Sequence, residues 1–166
     1  MNVERMMRHN VRACSPWDSL NDAARIMWDD ACGCVPVVDA SHRPVGFLTD
    51  RDICMAAYTQ GRPLGGIRVE SAMAKKVVSC GIHDDIEHAV QMMRGTYVRR
   101  LPVVDAQGVL VGLLSLDDIA CESKRSLRGA TDHYLAGVVG DVHGTICFAR
   151  CQRRHGIDPP LVSSAR

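Results

Sequence analysis

The strongest constraint on the fold of this chain is internal: shifted by 66 positions, the sequence lies on itself over two long segments without a gap. Met7 falls on Met73, Asp18 on Asp84, Ala23 on Ala89 and Met27 on Met93. Val35-Pro36-Val37-Val38-Asp39 falls on Leu101-Pro102-Val103-Val104-Asp105, and Gly46-Phe47-Leu48-Thr49 with Asp52-Ile53 falls on Gly112-Leu113-Leu114-Ser115 with Asp118-Ile119. A duplicated sequence implies a duplicated domain, with one copy over residues 1–62, the second over 63–122, and a C-terminal helix and tail over 123–166.

Each copy has the same local grammar. Arg12 to Cys14, and Val77 to Cys80, read as a short first strand. Leu20, Ala23, Ala24 and Met27 recur as Ile86, Ala89, Val90 and Met93, the i, i+3, i+4, i+7 stripe of a helix packed on a sheet, with Asp18 and Asp84 placed to cap its start. Two apolar runs follow, Val35 to Val38 and Val45 to Leu48, separated by turn-forming residues that include Asp39 and Pro44. Thr49 and Ser115 then stand where a second helix needs its N-cap, with Asp52 and Asp118 three residues on, a capping box in which Asp replaces Glu. The unit is therefore βαββα, a mixed α/β (α+β) arrangement. Gln60-Gly61-Arg62-Pro63-Leu64-Gly65-Gly66 breaks the helix between copies. Beyond the repeat, Leu135, Val138, Val139 and Val142 predict a short amphipathic helix, and the last ten residues read as frayed.

Composition narrows the function classes. Twenty basic against nineteen acidic residues give a formal charge of +1, which offers nothing global to nucleic acid or an anionic membrane. Only 4% of residues are aromatic, against a base-stacking platform. No apolar run approaches the roughly 20 residues of a membrane span, and the N-terminal residues do not form a signal core, so the expected setting is cytoplasmic. The eight cysteines are then thiols, not a disulfide framework.

The two Pro-Val-Val-Asp strands, and the two segments that run from Gly46 to Asp52 and from Gly112 to Asp118, resemble the tandem cystathionine β-synthase (CBS) domain family, the Bateman module, over about residues 1–122. Thr49-Asp50-Arg51-Asp52-Ile53 and Val98-Arg99-Arg100-Leu101-Pro102 are similar to stand-alone bacterial CBS pairs, including the mycobacterial hypoxic-response type. The resemblance implies two domains related by a pseudo-twofold axis, clefts between them that take an adenosine-containing ligand (AMP, ADP, ATP, NAD or S-adenosylmethionine) as a regulatory ligand, further pairing into a homodimer, and an effector protein that the sequence does not identify. It implies no catalytic cofactor and no enzyme activity.

The chemistry of the motif suits that ligand. A helix N-terminus welcomes an anionic phosphate, to which the Thr49 or Ser115 hydroxyl adds a hydrogen bond. Asp52 or Asp118 offers a carboxylate matched to the two hydroxyls of a ribose. By resemblance, the base is taken by Ala13 and Ser79 of the first strands, by Cys32 and Val98 before the proline strands, and by Phe47 and Leu113. The copies are unequal: Arg99 and Arg100 stand in the second where Gly33 and Cys34 stand in the first, so the site using Ser115 and Asp118 is expected to be the stronger. The same hydroxyls and aspartates also serve as plain helix caps.

An alternative of a different class is a thiol redox or metal sensor. His143, Cys147, Cys151 and His155 recur at every fourth residue, but successive steps drift by about 40° around a helix, so all four cannot meet one ion and no metal site is assigned. The basic residues Lys124, Arg125, Arg128, Arg150, Arg153 and Arg154 give the tail a positive charge that could dock a protein partner or nucleic acid, though a solvated helix face is the commoner meaning. The seven histidines are scattered, and no nucleophile with a matching base stands out.

Overall fold

A computed structural model of the chain describes residues 1–125 and 132–154. Its elements follow the repeat: β1 (Arg8–His9), α1 (Leu20–Asp29), β2 (Cys34–Val38), β3 (Pro44–Thr49), α2 (Asp50–Gln60), β4 (Cys80–Gly81), α3 (Ile86–Thr96), β5 (Arg100–Val104), β6 (Leu110–Ser115), α4 (Leu116–Arg125) and α5 (Asp132–Arg154). Both hairpins, both helix pairs and the mixed α/β class stand as the repeat predicts.

The first strands are shorter than expected. Ser79 and the residues before it remain outside β4, and in the first copy only Cys14 makes a bridge, parallel to Val37. In the first copy, polar Arg12 and the lack of alternation explain this, since little apolar area rewards extension there. The caps of the leading helices also differ from expectation. Ser19 caps α1 in a capping box with Asp22, and Asp85 caps α3. Asp18 and Asp84 instead accept the backbone N–H of Ser15 at 2.7 Å and of Gly81 at 2.8 Å, closing the turn before each helix.

Two compact units form, and they follow packing rather than sequence order. One comprises Asn10–Ser79 with Val104–Val111, the tip of the second hairpin; the other comprises Met1–His9, Cys80–Val103 and the described residues from Gly112 on. Each copy thus sends its leading arm to the unit of the other. In the first-copy unit, Ile67 and Val69 join a core of Leu20, Ala23, Met27, Val35, Val37, Leu48, Ile53 and Ala56. The backbone of Ala74 brackets Phe47 there, with N–H···O bonds of 2.9 and 3.0 Å. In the second-copy unit the N-terminal arm fills the equivalent place. Val3, Met6 and Met7 are buried, and β1 lies antiparallel to β6 with Arg8 opposite Leu113 and His9 opposite Gly112. The strand order there is β1-β6-β5-β4.

The second-copy unit alone carries α5, which at 23 residues is far longer than the short helix predicted. It packs on α3 and α4 through buried Val142, Ile146 and Ala149, with Arg94 paired to Asp141 at 3.1 Å. Arg128 and residues 155–166, including His155 and the segment read as frayed, lie outside the described residues, as do the side chains of Leu135 and Cys151. No helix among the described residues is long and apolar enough to cross a membrane.

Candidate functional site

The hinge between β3 and α2 is built by a reciprocal set of hydrogen bonds. Thr49 keeps extended backbone angles (φ −115°, ψ 161°), so the chain turns from strand to helix without a loop. Its hydroxyl accepts the Asp52 N–H at 3.3 Å and donates to Asp52 Oδ2 at 2.6 Å, and its N–H donates to the same oxygen at 2.9 Å. One carboxylate oxygen of Asp52 is thereby fixed, and Oδ1 meets no partner among the described residues. The other leading amides are also satisfied: the Asp50 N–H donates to the Gly33 carbonyl at 3.2 Å, and the Arg51 N–H to Asp50 Oδ1 at 2.7 Å. The positive end of α2 is therefore partly answered by a carboxylate already present, which disfavours a second anion.

The second half-site repeats the frame and changes the charges. The Ser115 N–H and hydroxyl both donate to Asp118 Oδ2, and the Asp118 N–H donates back to Ser115 Oγ at 3.1 Å. The Leu116 N–H donates to the Arg99 carbonyl at 3.0 Å, as Asp50 does to Gly33. Here, however, Leu116 replaces Asp50, and the Asp117 N–H meets no acceptor among the described residues. Arg100 lies half-buried 3.9 Å from Asp117. This helix start therefore presents an open amide with a guanidinium nearby, where α2 presents a second carboxylate. Asp118 differs from Asp52 in its second oxygen, which accepts the Arg8 Nε–H at 3.0 Å.

The remaining predicted residues divide between the units. Ala13, Cys32 and Phe47 share one with Thr49 and Asp52; Val98, Arg99, Arg100 and Leu113 share the other with Ser115 and Asp118. Ser79, expected with the second set, clusters with the first-copy unit, at its last residue before Cys80. Phe47 sits two residues before Thr49 on β3 and is partly exposed, whereas Leu113 is buried. Cys32 donates its thiol to the Cys34 carbonyl at 3.3 Å while resting on the core. Sequence reasoning missed Arg8 and Asp50. The repeat gave no signal for either, because their counterparts, Ala74 and Leu116, are uncharged.

The cysteines separate by environment. Cys14 and Cys80 are buried counterparts, each thiol 3.9 Å from the carbonyl of its copy's strand proline, Pro36 or Pro102. Desolvation first, then a neighbouring aspartate, pushes both up to about 12. Cys54, Cys121 and Cys147 are exposed. His143 and Cys147 are both exposed one turn apart on α5, and among the described residues no group of three or more ligating side chains converges.

With this geometry in place, the comparisons with known proteins are specific. The family model of the CBS domain matches residues 3–58 and again 69–124. The CBS domain-containing protein YhcV of Bacillus subtilis is 37% identical over 119 residues, covering 72% of this chain and 83% of that protein. Among solved structures, Hypoxic Response Protein I with two coordinated zinc ions superposes with a TM-score of 0.66 at 25% identity, covering 73% of this chain and 98% of that one. CBSX2 in complex with AMP superposes with a TM-score of 0.64 at 25% identity, over 75% and 96% of the two chains.

Proposed function

Because this chain belongs to the CBS-domain family as a tandem pair, we propose that it is a regulatory module that binds an adenosine-containing ligand at two unequal half-sites and passes its occupancy to a partner protein. The observation that carries this reading is the twice-built Thr49–Asp52 and Ser115–Asp118 frame. In each, one carboxylate oxygen is locked into a helix cap, so the other is held in a fixed position at the mouth of the helix. A pair of vicinal hydroxyls suits such an acceptor. The AMP in the CBSX2 structure supports an adenine nucleotide as the ligand. The apolar surface for the base falls to Ala13, Cys32 and Phe47 in one half-site and to Val98 and Leu113 in the other, with Ser79 at the boundary. Arg99 and Arg100 favour a phosphate at the second.

We assign the protein no reaction of its own, since capping hydroxyls, carboxylates and guanidiniums are groups that hold a ligand. Regulation then follows from linkage: the ligand shifts the module between conformations only by its difference in affinity for them. A homodimer and a cytoplasmic setting complete the proposal. The first is supported by exposed Trp28 and Tyr58, the second by exposed Cys54, Cys121 and Cys147, which suit a reducing setting.

Calorimetry with AMP, ATP, NAD and S-adenosylmethionine on the wild type, Asp52→Ala and Asp118→Ala tests the reading. We expect at least one of these ligands to bind, with AMP lost more completely in Asp118→Ala than in Asp52→Ala. Equal losses would remove the asymmetry. No binding at all, with no nucleotide carried through native purification, would redirect attention to the exposed thiols of Cys54, Cys121 and Cys147 as the sensing groups.

A further inference from the structure

We infer that Arg8 is a built-in competitor for the ribose-facing oxygen of Asp118, so that in the free protein the second half-site is latched while the first stands open. The inference rests on the reading of Asp52 and Asp118 as ribose acceptors and adds a regulation that the duplicated motif itself does not contain.

The two half-sites supply their own control. Arg8 lies opposite Leu113 in the pairing of β1 with β6, and Ala74 lies opposite Phe47 in the corresponding bridge of the other unit. These pairs are related by the 66-residue repeat at both ends. The backbone of each arm thus brings one residue to the equivalent register position: an arginine that reaches Asp118 in one unit, an alanine too short to form an ion pair in the other. Where the guanidinium is present, Asp118 has both oxygens engaged, Oδ2 by the Ser115 cap and Oδ1 by Arg8 at 3.0 Å. Where it is absent, Asp52 keeps Oδ1 without a partner among the described residues.

The latch is firm at its base and soft at its tip. Val3, Met6 and Met7 anchor the arm in the core, yet the Arg8 side chain is 62% exposed while that of Asp118 is only 14% exposed. A ligand therefore displaces the guanidinium without unpacking the arm. An exposed ion pair of this kind is weak, so the penalty on ribose binding is small, a factor of about two to five. A ligand without phosphate meets that penalty in full. A phosphate-bearing ligand can offset it, because it also engages the open Asp117 amide and the neighbouring arginines. The half-sites are thus sorted by phosphate: the open first site suits uncharged nucleosides, and the latched second site suits nucleotides.

Calorimetry with adenosine, which carries no phosphate, isolates the effect. In an Asp52→Ala background, where only the second half-site is left, Arg8→Ala is expected to tighten adenosine about two- to fivefold. In an Asp118→Ala background, Ala74→Arg is expected to weaken it by a similar factor, and both substituted positions are exposed enough to leave folding intact. Raising the salt concentration should tighten adenosine in the Asp52→Ala protein and leave Asp52→Ala/Arg8→Ala unmoved, because only the former has a latch to screen. Adenosine binding that Arg8→Ala leaves unchanged or weakens overturns the latch and spares the site. Failure of every protein, the wild type included, to bind adenosine or AMP overturns the site and the latch together.

Discussion

Cys14 and Cys80 occupy repeat-equivalent positions, and the structure gives them the same environment down to the 3.9 Å approach of each thiol to a proline-strand carbonyl. Each is buried and held protonated, its pKa raised from 9.0 to about 12 chiefly by desolvation. The unfolded chain releases these protons from about pH 9, whereas the folded protein keeps them until about pH 12. Above pH 9 the unfolded state therefore binds fewer protons, and the stability these groups contribute is complete below that pH and is lost as pH rises toward 12. Thermal melts between pH 8 and 11 should show the midpoint falling, with a shallower fall in Cys14→Ala/Cys80→Ala. Mass-resolved alkylation at pH 8 gives a second check. Cys54, Cys121 and Cys147 should label in the native protein, and Cys14 and Cys80 only when denaturant is added; native labelling of Cys80 would contradict its assigned burial. The sequence supplies the count of thiols but not this division. Which cysteine is a core residue and which is a surface nucleophile depends on contacts between residues distant along the chain.

The glycine that opens each half-site motif shows how an element constrains a residue. A Cβ at Gly112 would stand 2.7 Å from the backbone carbonyl of Arg8 and 2.7 Å from Met7 Sδ; one at Gly46 would stand 2.4 Å from Met73 Sδ. Glycine is required because the exchanged arm runs close beside the strand. The two clashes differ in kind. A methionine tip swings aside, but a backbone carbonyl in a paired strand does not. Gly112→Ala should therefore cost about 1–3 kcal/mol in urea unfolding, with Gly46→Ala the milder of the two, and the reverse order would contradict the close pairing of β1 with β6. The glycines, hairpins and second-helix caps were legible because each is local or periodic. The arm exchange was not: a two-residue strand such as Arg8–His9 carries no alternation to read, and its partner lies a hundred residues away. The leading-helix caps failed for a related reason. Asp18-Ser19 and Asp84-Asp85 each present two adjacent capping side chains, and only the three-dimensional turn decides which one caps and which closes the loop.

At the level of the molecule, a duplication makes every departure from symmetry informative. The second-copy unit has α3 and α4 packed beneath α5, whose buried side of Val142, Ile146 and Ala149 removes apolar area from water. Among the described residues, no such helix packs on α1 and α2 of the first-copy unit. Those helices present Trp28 at 87% exposure and Tyr58 at 82%, with Met55 also exposed, in a chain that has only two tryptophans and three tyrosines. Two of its few aromatics left in water on one helix pair are unexpected for a surface meant to stay free, and aromatic side chains are the commonest anchors of protein–protein contacts. A second copy of this chain is the simplest partner to cover them, through a self-complementary contact about a twofold axis. Light scattering during size exclusion should accordingly give twice the chain mass for the wild type. Trp28→Glu/Tyr58→Glu should give a monomer whose circular dichroism is unchanged, because neither side chain belongs to the core of its unit. A monomeric wild type, or a dimer that survives both substitutions, would place the interface elsewhere and leave the α1–α2 face for the effector.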